Sequence, residues 1–418
     1  MTGIRTPQAK PVFELSAGHP REVKNILMAS FVVAAVFAIS NTPTPLYPQW
    51  QQGIGFSSGV LTLIFAAYIA GLLLTLVVAG QLADHFGRRK VLVPGLTSAL
   101  IATLLFLVAD NVTLLLVARF LTGAAVGVIV SAGMAAVVDA GQDTRQTMAA
   151  RLASVAMVLG AGLGPLFSGL MAQLLSKPIP VIFGAEALLL LAALAVVLTQ
   201  STFSQAVRPS RKAPIRFALP AVAPEFRRYI AYGVAVFGPG IAATSFVLSL
   251  GPSVLTVQLG IESPLVAGGI ACVMFFMATG VQFAVAKVSI ARIFSLGALS
   301  TVVAMACLLG AVLAHLPWLL LCSAIFSGAG QGLGQLGGLT LIALHVPAHG
   351  RAQANALMNM GGYVPAGLLP LAAGFLIDIL SMTSAVLIFC LTLFLAATIG
   401  GLAVQRSMHN ARTSTKGA

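Results

Sequence analysis

Gly80-Gln81-Leu82-Ala83-Asp84-His85-Phe86-Gly87-Arg88-Arg89-Lys90 is a short charged stretch between two long apolar runs. Neither 57–79 before it nor 91–109 after it holds an Asp, Glu, Lys or Arg. About 20 mostly apolar residues span a bilayer as a helix. The stretch therefore reads as a tight connection between two membrane-spanning helices, exposed to water on one side.

The rest of the chain repeats the pattern. It is 58% hydrophobic and 8% charged, where a soluble domain carries about 25% charge. Twelve apolar segments follow one another: 25–48, 57–79, 91–109, 112–137, 147–174, 179–200, 228–250, 263–285, 292–314, 317–342, 352–377 and 382–404. Each must be helical, because lipid offers no partner to an open backbone group. The first segment reads as a retained signal-anchor, since the polar residues before it lack a compact basic region and a cleavage site.

The net charge of +13 does not indicate nucleic acid, because no basic and aromatic residues alternate along a groove-lining stripe. With residue 1 on the cytoplasmic side, every Lys and Arg except Arg119 and Lys177 falls at a cytoplasmic end or loop. This asymmetry predicts that both termini are cytoplasmic. Trp50 and Trp318 fall at predicted outer helix ends, where an aromatic belt would sit. The four cysteines lie inside apolar runs and the six histidines at segment ends or in loops. No disulfide framework, metal site or cofactor is expected.

Residues 201–227 form the longest polar stretch and divide the chain into bundles at 25–200 and 228–404, with tails at 1–24 and 405–418. A shift of 205 residues lays Gly123 and Gly127 on Gly328 and Gly332. The same shift lays Gly162, Leu163, Pro165, Leu166 and Gly169 on Gly367, Leu368, Pro370, Leu371 and Gly374. The expected fold is an all-α membrane protein of twelve transmembrane helices in two pseudo-symmetric six-helix bundles. Duplicated halves that rock about a shared site characterise transporters.

The stretch 80–90 resembles the signature loop of the major facilitator superfamily, G-x-L-A-D-x-x-G-R-R-K, with His85 in place of a basic residue. Arg119-Phe120-Leu121-Thr122-Gly123-Ala124-Ala125-Val126-Gly127 is similar to that family's fourth-helix pattern, R-x-x-x-G-x-x-x-G. The run from Gly160 to Gly169 resembles the fifth-helix pattern of its drug:proton antiporters, G-x-x-x-G-P-x-x-G-G, with Ser168 replacing a glycine. The resemblance implies a major facilitator fold, segments 1, 4, 7 and 10 lining the cavity, and a bacterial cytoplasmic (inner) membrane.

Candidate residues follow. Gly80, Asp84, Gly87, Arg88 and Arg89 form a cytoplasmic gate motif. Asp139, at the inner end of segment four, is the natural partner for Arg88. Arg119 and Glu186 are proton-coupling candidates, since an ionisable side chain inside a membrane is functional by default. The bland alternatives are that Arg119 snorkels to the outer surface and that Glu186 pairs with Lys177. Asn41, Thr44 and Tyr47, near the helix-breaking Pro43, Pro45 and Pro48, are substrate-cavity candidates. So are Gln331 with Gln335 and Asn355 with Asn359, each pair four apart and on one helix face, and Phe275, Phe276 and Met277. Gly160, Gly164, Pro165 and Gly169 form a helix-packing motif.

The expected function is proton-coupled efflux of small amphipathic compounds by a monomer. Its partners would be the substrate, protons and the lipid bilayer. The alternative is a facilitator or proton symporter importing a metabolite. An enzyme is disfavoured for want of a catalytic constellation, and an ATP-driven pump for want of a phosphate-binding loop.

Overall fold

A computed structural model describes residues 20–203, 222–285, 287–347 and 350–414. Most of the expected polar linker and the N-terminal tail lie outside these ranges. Among the described residues, twelve helices are long and apolar enough to cross a membrane. In the first half they are α1 (Glu22–Ile54), α2 (Ser58–Phe86), α3 (Arg88–Leu107), α4 (Val112–Ala140), α5 (Arg145–Leu174) and α6 (Pro178–Thr199). In the second they are α7 (Pro224–Ser249), α8 (Pro264–Ala284), α9 (Ile290–Ala314), α10 (Pro317–His345), α11 (Arg351–Ile379) and α12 (Met382–Met408). The end of the bundle that carries Arg88 is called the basic end below, and the opposite one the far end.

Local chemistry sets the helix boundaries. At the far end Ser57 and Asn111 cap α2 and α4, accepting from the backbone N–H groups of Val60 and Leu114. Such caps satisfy donors that a helix start leaves orphaned. At the basic end α2 continues to Phe86, so Asp84 and His85 sit on its last turn rather than in a loop. Gly87 alone turns the chain, at φ +93°, a value that favours glycine.

α1 is broken where its prolines fall. Regular helix ends at Asn41, a 3-10 turn covers Thr44–Leu46, and a short helix resumes over Tyr47–Ile54. Pro43 and Pro45 have no N–H to give to the carbonyls of Ile39 and Asn41. The resumed helix carries Trp50 inward, where it is buried and stacks on Phe106 of α3 and Phe183 of α6, centroids 5.8 and 6.1 Å away. Trp50 is therefore core, contrary to the belt expectation. Trp318 stays exposed at the far end.

The repeated glycines do equivalent work in each half. A methyl on Gly123 or Gly127 would overlap Tyr68 or Thr75 of α2, and one on Gly328 or Gly332 would overlap the backbone of Met274 or Ala278 of α8. So α4 packs on α2 as α10 packs on α8. Between the halves, Gly162 and Gly169 of α5 meet α8, while Gly367 and Gly374 of α11 meet α2. One duplicated pattern thus builds both the bundles and the seam between them.

Candidate functional site

Among the described residues, the buried charged side chains are Arg119 and Glu186. Arg119 lies seven residues into α4 and Glu186 eight into α6, roughly 10 Å below the far end at 1.5 Å per residue. Both are fastened to the break in α1. Arg119 donates through Nη1 to the Ser40 carbonyl at 2.7 Å. The single Thr42 hydroxyl proton is shared between Glu186 Oε1 at 2.8 Å and the Ala38 carbonyl at 2.9 Å. The regular helix stops at Asn41, and the buried guanidinium takes the Ser40 carbonyl beside that break. Arg119 has no snorkelling path, being wholly enclosed. Glu186 is held by Thr42 rather than by Lys177, which is exposed.

The rest of the guanidinium is wrapped in aromatic faces. Its Cζ lies 5.8 Å from the Tyr47 ring, 5.4 Å from Phe65 and 4.9 Å from Tyr68. Ring faces attract a cation, yet Arg119 Nε and Nη2, Glu186 Oε2, and the hydroxyls of Tyr47 and Thr44 have no hydrogen-bond partner. A buried polar atom left unmatched is costly. Several hydrogen-bonding positions therefore converge on one place with capacity to spare. Asn41 spends its amide locally, donating to Ser40 Oγ at 2.8 Å.

Across the seam, Tyr363 of α11 is near enough to Tyr68 for the two hydroxyls to interact electrostatically. Tyr363 in turn meets Phe237 of α7 edge-on at 6.3 Å. Phe65, Tyr68 and Tyr363 were not singled out by the sequence reading. The available signal was Phe65 and Tyr68 three apart on one face of segment two, and one of only five tyrosines in the chain at mid-span. The remaining cavity candidates do not join this cluster. Asn355 lies one turn into α11 and Asn359 two, both half-buried with unpartnered Oδ1 atoms nearer the basic end. Gln331 and Gln335 are half-buried on α10, and Phe276 points outward.

α5 presents its small residues in two directions. A methyl on Gly160 or Gly164 would overlap the backbone of α1 at Ala34 or Ala38, and at Gly164 it would also press on Thr42, 2.9 Å away. Gly169 and Pro165 instead meet α8, at Pro264 and Gly268. The same helix therefore touches both the Glu186 anchor and the seam.

The far end is tied across the seam. Asp378, at the end of α11, accepts from the backbone N–H groups of Ser58 and Gly59 at 3.0 and 2.8 Å, capping α2 from the other half. Ser263 of α8 donates to Gln173 of α5 at 2.9 Å. At the basic end, a cavity of about 570 Å³ lies between the halves, lined by Gln146, Arg151 and Ser154 of α5 and by Thr279, Gln282 and Phe283 of α8. Arg88 bridges Asp84 and Asp139 at 3.2 Å each, so this charge cluster ties α2, α3 and α4 of one half together. Arg145 pairs with Glu22 at 3.7 Å within that half too. Gly80 has only Ser131 of α4 near it, so it leaves room there rather than enforcing a tight contact.

The chain is similar to the multidrug resistance protein MdtL of Escherichia coli (strain K12 / DH10B), 31% identical over 99 residues. It matches the same protein of Shigella boydii serotype 18 equally. These matches cover 24% of this chain and 25% of MdtL, so the chain spans about a quarter of the length of those relatives. Among solved structures it resembles the peptide transporter POT bound to alafosfalin, with TM-score 0.72, 17% identity, and 94% and 95% of the two chains covered. It also resembles the nucleoside transporter NupG, with TM-score 0.70, 11% identity, and 91% and 99% covered. At such identities the likeness is one of fold. The Major Facilitator Superfamily sequence model matches residues 27–317 and 283–417, overlapping segments that together span nearly the whole chain. With twelve spans among the described residues in two related bundles, the chain belongs to the major facilitator superfamily and is a multi-pass membrane protein.

Proposed function

We propose that this transporter exports small amphipathic, drug-like compounds in exchange for protons. The observation that carries the reading is the double attachment of the α1 break. Glu186 and Arg119, the buried charges, hold neighbouring residues of one interrupted helix, Thr42 and Ser40. Glu186 Oε2 has no partner and is free to take a proton. Protonation removes the charge that draws the Thr42 hydroxyl, loosening α1 beside the aromatic cluster. While Glu186 is ionised and α1 is held, substrate sits against Tyr47, Phe65, Tyr68 and Tyr363, surfaces that suit flat apolar molecules with one polar group. Protonation of Glu186 expels it. The glycine-rich α5 and the partial similarity to a protein named for multidrug resistance support efflux.

In this reading the basic end is cytoplasmic, in a bacterial inner membrane, and the bundles at 25–200 and 228–404 rock as units joined by 201–227. The far-end ties and the basic-end cavity make this an inward-facing arrangement. Gly80, Asp84, Gly87, Arg88, Arg89 and Asp139 then act as the gate motif on the cytoplasmic side, and Asn355, Asn359, Gln331 and Gln335 line the path toward it. The protein works as a monomer.

The test is reconstitution in liposomes with an imposed pH gradient, following lipophilic cations and neutral amphipathic dyes. Accumulation that follows the gradient and collapses with an uncoupler is expected. Movement that ignores the gradient contradicts antiport.

A further inference from the structure

The mechanism leaves unused a second cavity, of about 310 Å³, in the C-terminal half at the basic end. It lies where α7, α9, α10 and α12 end. Its walls are apolar on one side, with Ile290, Leu341 and Met408. On the other side stands a fixed cation. Arg228 donates from Nη2 to the Tyr229 hydroxyl at 2.7 Å, and its Cζ lies 4.7 Å from that ring's centroid. Tyr229 is in turn stacked on His345, centroids 4.2 Å apart and planes 23° apart. His345 Nδ1 is engaged with the Leu341 carbonyl at 3.0 Å. An exposed arginine is thus tethered to the Tyr229 ring and hydroxyl at the mouth of this cavity. Arg292 and Arg406, both exposed, adjoin the lining residues Ala291 and Ser407. The nearby acid is Glu225, exposed on the first turn of α7.

We propose that this groove binds an anionic phospholipid, its phosphodiester on Arg228 and the start of an acyl chain along Ile290, Leu341 and Met408. The chemistry requires both parts. A planar guanidinium suits phosphate oxygens, and a soluble anion gains nothing from the apolar wall. The site lies on the first turns of α7 and α9 and the last turns of α10 and α12, at helix ends where headgroups stand and basic residues attract anionic lipid. The chain's own segments are poor occupants: 204–221 and 409–418 contain Arg and Lys and no Asp or Glu, so the basic site repels them.

Native mass spectrometry of the detergent-purified full chain tests this, with phosphatidylglycerol and phosphatidylcholine as probes. Wild type is expected to retain phosphatidylglycerol preferentially. Arg228→Gln should cut that preference about fivefold, the worth of one basic residue at an anionic surface. Arg151→Gln, at the seam cavity, should leave it intact. Ala291→Phe fills the apolar wall and should lower retention of phosphatidylglycerol without changing charge. Free glycerol phosphate in excess should not displace the lipid. Undiminished preference in Arg228→Gln, or full displacement by glycerol phosphate, overturns the proposal. Lipid retention is read without any transport assay, so failure of the antiport reading would leave this result standing.

Discussion

Gly123 and Gly127 let α4 settle on α2, and Gly328 and Gly332, 205 residues on, let α10 settle on α8 in the same way. Arg119 shifted by that same interval becomes Ala324, and Glu186 becomes Leu391. The N-terminal half buries a cation and a carboxylate; the C-terminal half at those positions has a methyl and an isobutyl group. Duplication has preserved the contacts that let helices pack, while among the described residues the buried charges stand in one half. The C-terminal half contributes aromatic surface, Phe237 and Tyr363, to the proposed substrate site.

This contrast can be attacked from either side. The largest effect belongs to the chemistry. Arg119→Met should reduce gradient-driven transport to the level of empty liposomes. It should not lower the thermal unfolding midpoint, because one carbonyl bond and three ring faces do not repay full desolvation of a guanidinium. A large loss of stability would recast Arg119 as a structural strut. Next come the packing glycines. Gly169→Ala and Gly374→Ala occupy matching positions on opposite sides of the seam, and each methyl would overlap its neighbour. Both should destabilise by similar amounts, about 1–3 kcal/mol, measured by thermal unfolding in detergent. One damaging and one silent substitution would break the symmetry of packing.

Asp378→Asn removes the charge that caps α2 from the other half. A carboxylate at a helix start is worth up to about 1 kcal/mol. A roughly fivefold rise in labelling of a Ser263→Cys reporter by an impermeant maleimide should follow, as the far end opens more often. Arg88→Gln should cost least in stability, under about 1 kcal/mol, because Asp84 and Asp139 are largely exposed. Its effect should fall on transport rate instead.

The architecture was legible because bilayer physics leaves few choices: apolar length, placement of basic residues and a constant offset together gave spans and halves. The break in α1 was readable too, since Pro43 and Pro45 remove N–H donors wherever they sit. The site itself was only half legible. Arg119 and Glu186 stood out as charges within apolar runs, but their common anchor did not, because one of its acceptors is the backbone carbonyl of Ser40, which no sequence pattern marks. Phe65, Tyr68 and Tyr363 were hidden among many membrane aromatics, and Asp378 looked like one more helix-end acid. Trp50 misled because a bent helix, rather than the membrane surface, determines where it points.

The central claim is that proton exchange occurs at Glu186 in the N-terminal half and is coupled to substrate. It is tested most directly by adding a transported compound to the detergent-solubilised protein in unbuffered solution and following pH with an indicator dye. Wild type should release protons on binding, while Glu186→Gln should bind the same compound and release none. Equal proton release from both proteins would contradict the account.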